Sequence, residues 1–356
     1  MPETKPILRD LSPEDMPELM TSRGEPPFRG RQLAEWLFSR NAMSWDDMSN
    51  MPRKLRDELA EEFTLAALEP VERQVSSDGT RKHLFTLSDG AAIESVVIPM
   101  DGYPTFCISS QVGCAMACSF CATARGGLAR NLSRGEIVEQ VLRLAADVLS
   151  EPIPGCGGRG YNIVFMGMGE PLDNFAGVSG AIETFKLDTG LKMSPRRIQI
   201  STSGHRLGLS ELISAAPGVG LTISVNGCDP ELRKQLMPVP ARTPLPEILD
   251  LGELYARKIR RTVTIAYVLI AGVNDDDREA ALLADLVRQR PFKVNLIPMN
   301  SIDDRFQPPA QERILGFQRV LAGRDVRAFI RASGGDDIDA ACGQLRNRHR
   351  DSKKSR

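Results

Sequence analysis

The sequence has almost no net charge, few histidines and no long apolar run. No stretch approaches the ~18 apolar residues of a membrane-spanning helix, so we expect no membrane partner. With 45 Lys and Arg against 46 Asp and Glu, the protein is not uniformly basic, although this balance does not exclude a local basic face. The polar start predicts no secretory signal, and we therefore expect a cytoplasmic protein.

The cysteines are odd in number and unevenly spread. This pattern argues against a secreted disulfide framework and favours cytosolic metal or thiol chemistry. Four of the seven crowd into one short segment and three are scattered, namely Cys107, Cys114, Cys118 and Cys121 against Cys156, Cys228 and Cys342.

Hydrophobic periodicity predicts a helical module over about the first 75 residues, then two strands, then an alternation of strands and helices. Strands are predicted at His83–Leu87, Ala92–Pro99, Thr105–Ser109, Asn162–Met166, Arg197–Ile200, Gly220–Val225, Thr262–Ile270 and Lys293–Ile297. Helices are predicted at Arg31–Arg40, from Met51, and at Arg134–Leu149, Ala176–Phe185, Pro246–Lys258, Arg278–Arg290 and Ala310–Leu321. Six strand–helix units imply an α/β protein with a parallel sheet, either doubly wound or curved into an incomplete barrel.

Glycine-rich and polar clusters follow the predicted strands, where ligands bind in either architecture. They are Gly167–Pro171, Ser201–Gly204, Ser224–Gly227, Gly272–Asn274 and Pro298–Asn300. Each cluster alone is typical of a turn, but their repeated placement predicts one site ringed by loops.

Cys114, Cys118 and Cys121 have CxxxCxxC spacing, which lets three thiolates converge on one inorganic centre. Soft thiolates select zinc or iron–sulfur clusters. A structural zinc site needs a fourth protein ligand, and with three histidines in the chain that ligand would have to come from elsewhere. A [4Fe–4S] cluster on three cysteines instead leaves one iron open to a ligand.

This spacing, with Phe120 before its last cysteine, resembles the radical S-adenosylmethionine superfamily. Longer motifs resemble the RlmN/Cfr group of RNA adenine methyltransferases within it. They are Cys107-Ile-Ser-Ser-Gln-Val-Gly-Cys114, Cys118-Ser-Phe-Cys121-Ala-Thr, Gly167-Met-Gly-Glu-Pro171 and Gly335-Asp-Asp-Ile-Asp-Ala-Ala-Cys-Gly-Gln-Leu345. The similarity runs from Phe28 to Leu345 and is stronger to the RlmN branch, which methylates carbon 2 of adenine, than to the Cfr branch, which methylates carbon 8.

The resemblance implies a partial (β/α)6 radical-SAM barrel with a small N-terminal helical domain and a C-terminal catalytic-cysteine extension. The implied domains are an RNA-binding accessory domain over 1–75, a strand-rich extension over 76–102, the core over 103–322, and a C-terminal strand, cysteine loop and basic tail over 323–356.

The resemblance also implies the cofactors and the roles of single residues. One [4Fe–4S] cluster would bind Cys114, Cys118 and Cys121, and two S-adenosylmethionine molecules would be consumed per methylation. Cys342 would carry the methyl group, Cys107 would resolve the protein–RNA adduct by a disulfide with Cys342, and Glu94 would accept a proton. S-adenosylmethionine would contact Gly169, Glu170, Ser201, Ser224, Val225, Asn226 and Asn300, with Ser203 as an alternative to Ser201.

Asn226 and Gly334 depart from the family pattern, which usually has His and Arg at these positions. Asn cannot titrate, and Gly removes a guanidinium that could hold phosphate. The alternatives are therefore a Cfr-like carbon-8 enzyme, a divergent paralogue with another substrate, and a zinc-stabilised RNA-binding protein.

The expected partners are 23S rRNA, tRNA and a reductant such as flavodoxin or ferredoxin, for a monomeric enzyme. RNA contact would come from local basic runs, at Arg53–Arg56, Arg257–Arg261 and Arg346–Arg356.

Overall fold

A computed structural model describes residues 5–156, 160–331 and 334–345. Its N-terminal part contains α1 (Met16–Thr21), α2 (Phe28–Ala34), a π-helical turn (Glu35–Ser39) and α3 (Arg53–Glu62). Apolar side chains at helical spacing are buried here, among them Leu33, Leu37, Leu55 and Leu59. The helices predicted from Arg31 and from Met51 are therefore confirmed.

The prediction of a helical segment up to about residue 75 is wrong at its end, because Leu68–Val75 forms strand β1. This strand lies at the sheet edge, pairs with one neighbour and has a register shift between Pro70 and Glu72. An edge strand with a proline and mostly exposed side chains lacks the apolar alternation that marks strands in a sequence.

One ten-stranded sheet forms the body of the protein, with a separate two-stranded hairpin beside it. The strands after β1 are β2 (Arg81–Leu87), β3 (Ala92–Ile98), β4 (Thr105–Cys107), β5 (Gln111–Gly113), β6 (Leu128–Asn131), β7 (Asn162–Phe165), β8 (Ile198–Thr202), β9 (Gly220–Ser224), β10 (Val263–Leu269), β11 (Phe292–Pro298) and β12 (Ala328–Ile330). Strands β1 to β4 are antiparallel, whereas β4 and β7 to β12 run parallel in chain order. The hairpin pairs β5 with β6.

Helices connect the parallel strands. They are α4 (Ala122–Arg125), α5 (Arg134–Ser150), α6 (Phe175–Lys186), α7 (Arg206–Ala215), α8 (Pro230–Leu236), α9 (Leu245–Ile259), α10 (Asp277–Val287) and α11 (Gln311–Ala322). A capping box between Ser133 and Glu136 starts α5, in agreement with the Ser-x-x-Glu pattern before the helix predicted at Arg134–Leu149. No helix in the described ranges is long and apolar enough to cross a membrane.

The strand order resolves the choice between the two architectures. A doubly wound sheet reverses its strand order at a switch point, whereas β4 and β7 to β12 follow one another without reversal. The sheet is a curved, incomplete (β/α)6 barrel whose edge strands β1 and β12 are not paired with each other. The carboxyl ends of its parallel strands meet at one rim, while the predicted domain boundaries remain predictions.

Candidate active site

A cavity of about 190 Å³ opens at the carboxyl ends of the parallel strands. Ten of the predicted site residues line it: Cys114, Cys118, Cys121, Gly169, Glu170, Ser201, Ser224, Asn226, Asn300 and Cys342. Glu94, Cys107 and Val225 do not. The structure therefore gathers most of the predicted residues around one space, although they come from distant parts of the chain.

The three clustered cysteines lie on the loop between β5 and α4. Burial raises the pKa of Cys114 to about 12, and burial also raises the pKa of Cys118, with further contributions from nearby Cys121 and Glu170. Among the described residues, no three Cys, His, Asp or Glu side chains are close enough together to hold a metal ion as they stand.

The donor set nevertheless fits an iron–sulfur cluster on three thiolates. Among the described residues, no histidine lines the cavity beside them, and the other lining cysteine, Cys342, lies on the C-terminal segment. Neighbouring Met116, Phe120 and Met237 make the surroundings apolar, and thiolates with an apolar shell suit such a cluster.

Glu170 accepts three hydrogen bonds within the protein. Its Oε2 accepts from the backbone N of Ser203 at 2.8 Å and from Ser203 Oγ at 2.7 Å, and its Oε1 accepts from the backbone N of Leu172 at 3.1 Å. Burial raises the pKa of Glu170, against the effect of these donors. Ser203 thus orients Glu170, and both Ser203 and Ser201 line the cavity at the end of β8.

Gly169 carries the backbone past the β4–β5 connection. Its φ is +105°, and a Cβ there would lie 2.8 Å from the backbone N of Gln111. Only glycine fits this position without displacing backbone.

Asn226, the departure from the family pattern, joins the ends of β9 and β10. Its side-chain Oδ1 accepts from the backbone N of Val268 at 2.8 Å, and its backbone carbonyl accepts from Asn274 Nδ2 at 2.9 Å. Its φ of +55° is one that asparagine tolerates better than most residues. Val225 is buried and its carbonyl accepts from Arg233, which places this residue behind the cavity wall.

Three hydrogen bonds hold the segment that carries Cys342 in place beside the cavity. Asn300 Nδ2 donates to the carbonyl of Cys342 at 3.2 Å. The backbone N of Ala122 donates to the Gly343 carbonyl at 2.7 Å, and Thr123 Oγ1 donates to that of Leu345 at 2.6 Å. The C-terminal cysteine is therefore held directly against the start of α4, next to the clustered thiols.

Cys107 lies buried at the end of β4, between β3 and β7. Burial raises its pKa to about 12, and the nearby Cys342 raises it further, whereas the charge of Arg331 lowers it. The two predicted partner thiols are thus neighbours. Both are free, as are the other five cysteines.

Glu94 faces a buried lysine instead of the cavity lining. Lys82 Nζ lies 3.7 Å from Glu94 Oε1 and donates to the main-chain carbonyls of Ile338 and Asp339, the latter at 3.4 Å. Lys82 therefore links Glu94 on β3 to the segment that leads to Cys342.

Gly334 packs against the β1–β2 turn. A Cβ at Gly334 would lie 2.9 Å from Asp78 Oδ2, the same oxygen that accepts from the backbone N of Gly335 at 2.9 Å. A larger residue at 334 would have to displace Asp78. The glycine that replaces the family's usual arginine therefore fits the local packing of this protein.

The predicted basic runs are only partly described. Arg346–Arg356 lies outside the described residues. Arg53 and Lys54 pair with acids one helical turn away, at 3.8 and 3.7 Å, and Arg257 pairs with Glu253 at 2.6 Å.

Two site residues were not predicted from the sequence. Arg331 lines the cavity from the end of β12, a strand of three residues that lacks a readable apolar run. The sequence feature that could have indicated this strand is its position after the last helix of the alternating strands and helices. Lys82 had no such signal, because its role depends on contacts with the distant C-terminal segment.

Two family models match the chain. The radical SAM superfamily matches residues 108–284, and the ribosomal RNA large subunit methyltransferase N-terminal domain matches residues 7–65. Radical SAM membership implies a [4Fe–4S] cluster and S-adenosylmethionine as cofactors, in agreement with the three thiols at the cavity.

Whole-chain relatives give the same result. The dual-specificity RNA methyltransferase RlmN of Anaeromyxobacter sp. is 44% identical over 97% of this chain and 91% of its own length. That of Geobacter sulfurreducens is 41% identical over 96% and 92%. The crystal structure of a radical SAM methyltransferase from Sphaerobacter thermophilus matches with a TM-score of 0.90 and 38% identity, over 96% of this chain and 99% of that one. The chain belongs to the RlmN family of S-adenosylmethionine-dependent radical SAM RNA methyltransferases.

Proposed function

We propose that this enzyme methylates carbon 2 of adenosine in 23S rRNA and in tRNA, with Cys342 as the methyl carrier. The main observation behind this proposal is that Cys342 lines the same cavity as the three clustered thiols, Cys114, Cys118 and Cys121. Cys107 lies near Cys342. The relatives' description as dual-specificity RNA methyltransferases supports both RNA classes.

The cysteines have separate tasks in this proposal. Carbon 2 of adenine is electron-poor, so direct polar transfer from a sulfonium fails. The cluster and S-adenosylmethionine would supply the methyl group and the radical that activates it. Cys342 holds the methyl group and becomes linked through it to the adenine. The Cys107 thiolate then attacks the Cys342 sulfur, so that the S–S bond forms as the bond from this sulfur to the transferred carbon breaks, and that carbon takes the electron pair and a proton to become the methyl group of the product.

The remaining residues orient these groups. Gly169, Glu170, Ser201, Ser224, Val225, Asn226 and Asn300 form or support the wall where S-adenosylmethionine would bind. Glu94 would accept the proton lost from the ring. Because Glu94 does not line the cavity, this role requires its pair with Lys82 to rearrange during the reaction. A monomer served by an external reductant such as flavodoxin or ferredoxin completes the proposal.

The test is anaerobic reconstitution with iron and sulfide, followed by incubation with S-adenosylmethionine, a reductant and either 23S rRNA fragments or tRNA. Mass spectrometry of digested RNA should detect 2-methyladenosine. An 8-methyladenosine product would select the Cfr-like alternative. Cofactor cleavage without methylated RNA of either class would support the divergent paralogue, for which Asn226 and Gly334 are the motivating residues.

A further inference from the structure

Arg331 has no role in the function proposed above, yet it lines the cavity. It is the one cation among the described lining residues, and Glu170 is the one acid. Glu170 accepts hydrogen bonds from Ser203 and Leu172, and within the described residues it forms no ion pair with Arg331.

The contacts of Arg331 leave most of its guanidinium donors unused. Its Nη1 lies 3.9 Å from the Met166 sulfur, a weak acceptor, and its backbone N donates to the Leu296 carbonyl at 2.9 Å. Among the residues that the structure describes, Arg331 forms no ion pair. A guanidinium that lines a cavity without an acidic partner is available to an anionic ligand.

The contacts of Arg331 and Glu170 show on which side of the cavity each lies. Arg331 Nη1 is next to the sulfur of Met166, which directly follows β7, and β7 pairs with β4 at Cys107. The backbone N of Glu170 instead donates to Gln111 Oε1 at 2.8 Å, at the start of the strand that leads to Cys114. Arg331 therefore lies on the side of Cys107, and Glu170 on the side of the cluster thiols.

We infer that Arg331 binds a phosphate of the target nucleotide and so holds the adenine over Cys342. This inference rests on the proposed RNA substrate. An adenine can enter the cavity only if its nucleotide leaves the RNA stack, which brings at least one backbone phosphate to the rim. The planar fork of arginine suits two phosphate oxygens at once. The methionine carboxylate of the cofactor is the competing anion, but it is expected near the cluster thiols, on the opposite side.

The experiment uses reconstituted holoenzyme without reductant, so that binding is measured without turnover. The probe is a fluorescein-labelled RNA hairpin with one unpaired loop adenosine, titrated between about 50 and 200 mM salt. Arg331→Gln should weaken binding roughly tenfold, as expected for a lost charge-assisted hydrogen bond. It should also reduce the slope of log affinity against log salt by ~0.7–0.9. Arg327→Gln, an exposed neighbour, is the matched control and should change neither.

A wild-type slope in Arg331→Gln, or an equal loss in Arg327→Gln, overturns the inference. Equilibrium dialysis with S-adenosylmethionine tests the competing explanation, in which Arg331 binds the methionine carboxylate of the cofactor. Unchanged cofactor binding is expected, whereas loss of cofactor binding with an unchanged RNA slope would assign Arg331 to the carboxylate and overturn the inference.

A second measurement keeps the test independent of the variant's folding. Wild-type enzyme is titrated with hairpins in which one phosphate at a time is a neutral methylphosphonate. One substitution beside the loop adenosine should weaken binding roughly tenfold, and the inference fails if none does. Methylation assays on the wild type distinguish failure of this inference from failure of the proposed function. If the wild type binds the hairpin but makes no 2-methyladenosine, the proposed reaction is refuted while the phosphate contact is still supported.

Discussion

Asn300 Nδ2 donates a 3.2 Å hydrogen bond to the main-chain carbonyl of Cys342. Asn300 follows β11 and was predicted to bind the cofactor, whereas Cys342 belongs to the C-terminal segment. The bond therefore ties the reactive cysteine to a strand end of the cavity, and it makes the position of Cys342 depend on Asn300.

Asn300→Ala should loosen the Cys342 segment. Loss of one hydrogen bond of ~1 kcal/mol predicts roughly fivefold faster alkylation of Cys342 by iodoacetamide, measured without cofactor by peptide mass spectrometry. Asn295→Ala is the control, because Asn295 lines the same cavity from within β11. Equal rates in wild type and Asn300→Ala would show that the hydrogen bond does not hold the segment.

Cys107→Ala should trap a covalent protein–RNA adduct, because the resolving thiol is absent while Cys342 remains. The adduct is measured as radiolabelled RNA that comigrates with protein on denaturing gels after anaerobic turnover. Cys156→Ala should release its product normally, since Cys156 does not line the cavity. Free methylated RNA at the wild-type level from Cys107→Ala would contradict the assignment of Cys107.

Cys118→Ala should abolish stable cluster incorporation, because two thiolates cannot replace three on a [4Fe–4S] cluster. Iron and sulfide content and the visible absorption of the reconstituted protein measure this. Cys228→Ala is the matched control: its thiol is similarly buried, with a raised pKa, but it lies outside the cavity lining. Wild-type iron content in Cys118→Ala would refute the ligand assignment.

Lys82→Met should destabilise the apoprotein by about 3 kcal/mol, because it leaves the buried Glu94 carboxylate without this ammonium. The double variant Lys82→Met/Glu94→Gln should recover part of the loss, which a purely steric effect would not allow. Urea unfolding measures both. Lys54→Met, which removes an exposed helical pair with Glu58 at 3.7 Å, should cost less than ~0.5 kcal/mol.

Asp147 predicts a pH-dependent contribution to stability. Burial raises its pKa, but hydrogen bonding and the charges of His83, Arg81 and Arg73 outweigh this effect and lower the pKa from 3.8 to about 2. A lowered carboxyl pKa stabilises the folded state above its unfolded value and loses that effect as the pH falls through the folded value. Asp147→Asn should therefore cost ~2 kcal/mol near neutral pH. Thermal unfolding of the apoprotein should show this difference above about pH 4 and its disappearance towards about pH 2; a constant difference would contradict it.

The sequence predicted the main elements of the barrel with ends close to those observed. Helix α5 is an example, because its capping box and apolar periodicity act within one segment. Strand β1 and the β5–β6 hairpin were missed, and β12 was expected only as the C-terminal strand that the family resemblance implied, since these elements are short or lie at edges and depend on pairing with other strands.

The sequence by itself determined the cluster motif and the order of the strand–helix units, because cysteine spacing and apolar periodicity are local properties. It left open whether the sheet was doubly wound or a barrel, and the strand pairing decided this. Tertiary structure alone placed Cys342 beside Cys107, linked Lys82 to Glu94 and to the Cys342 segment, and turned Arg331 into the cavity. These relationships join residues far apart in the chain, and only the pairing of the strands into one curved sheet and the return of the C-terminal segment across its rim bring them together.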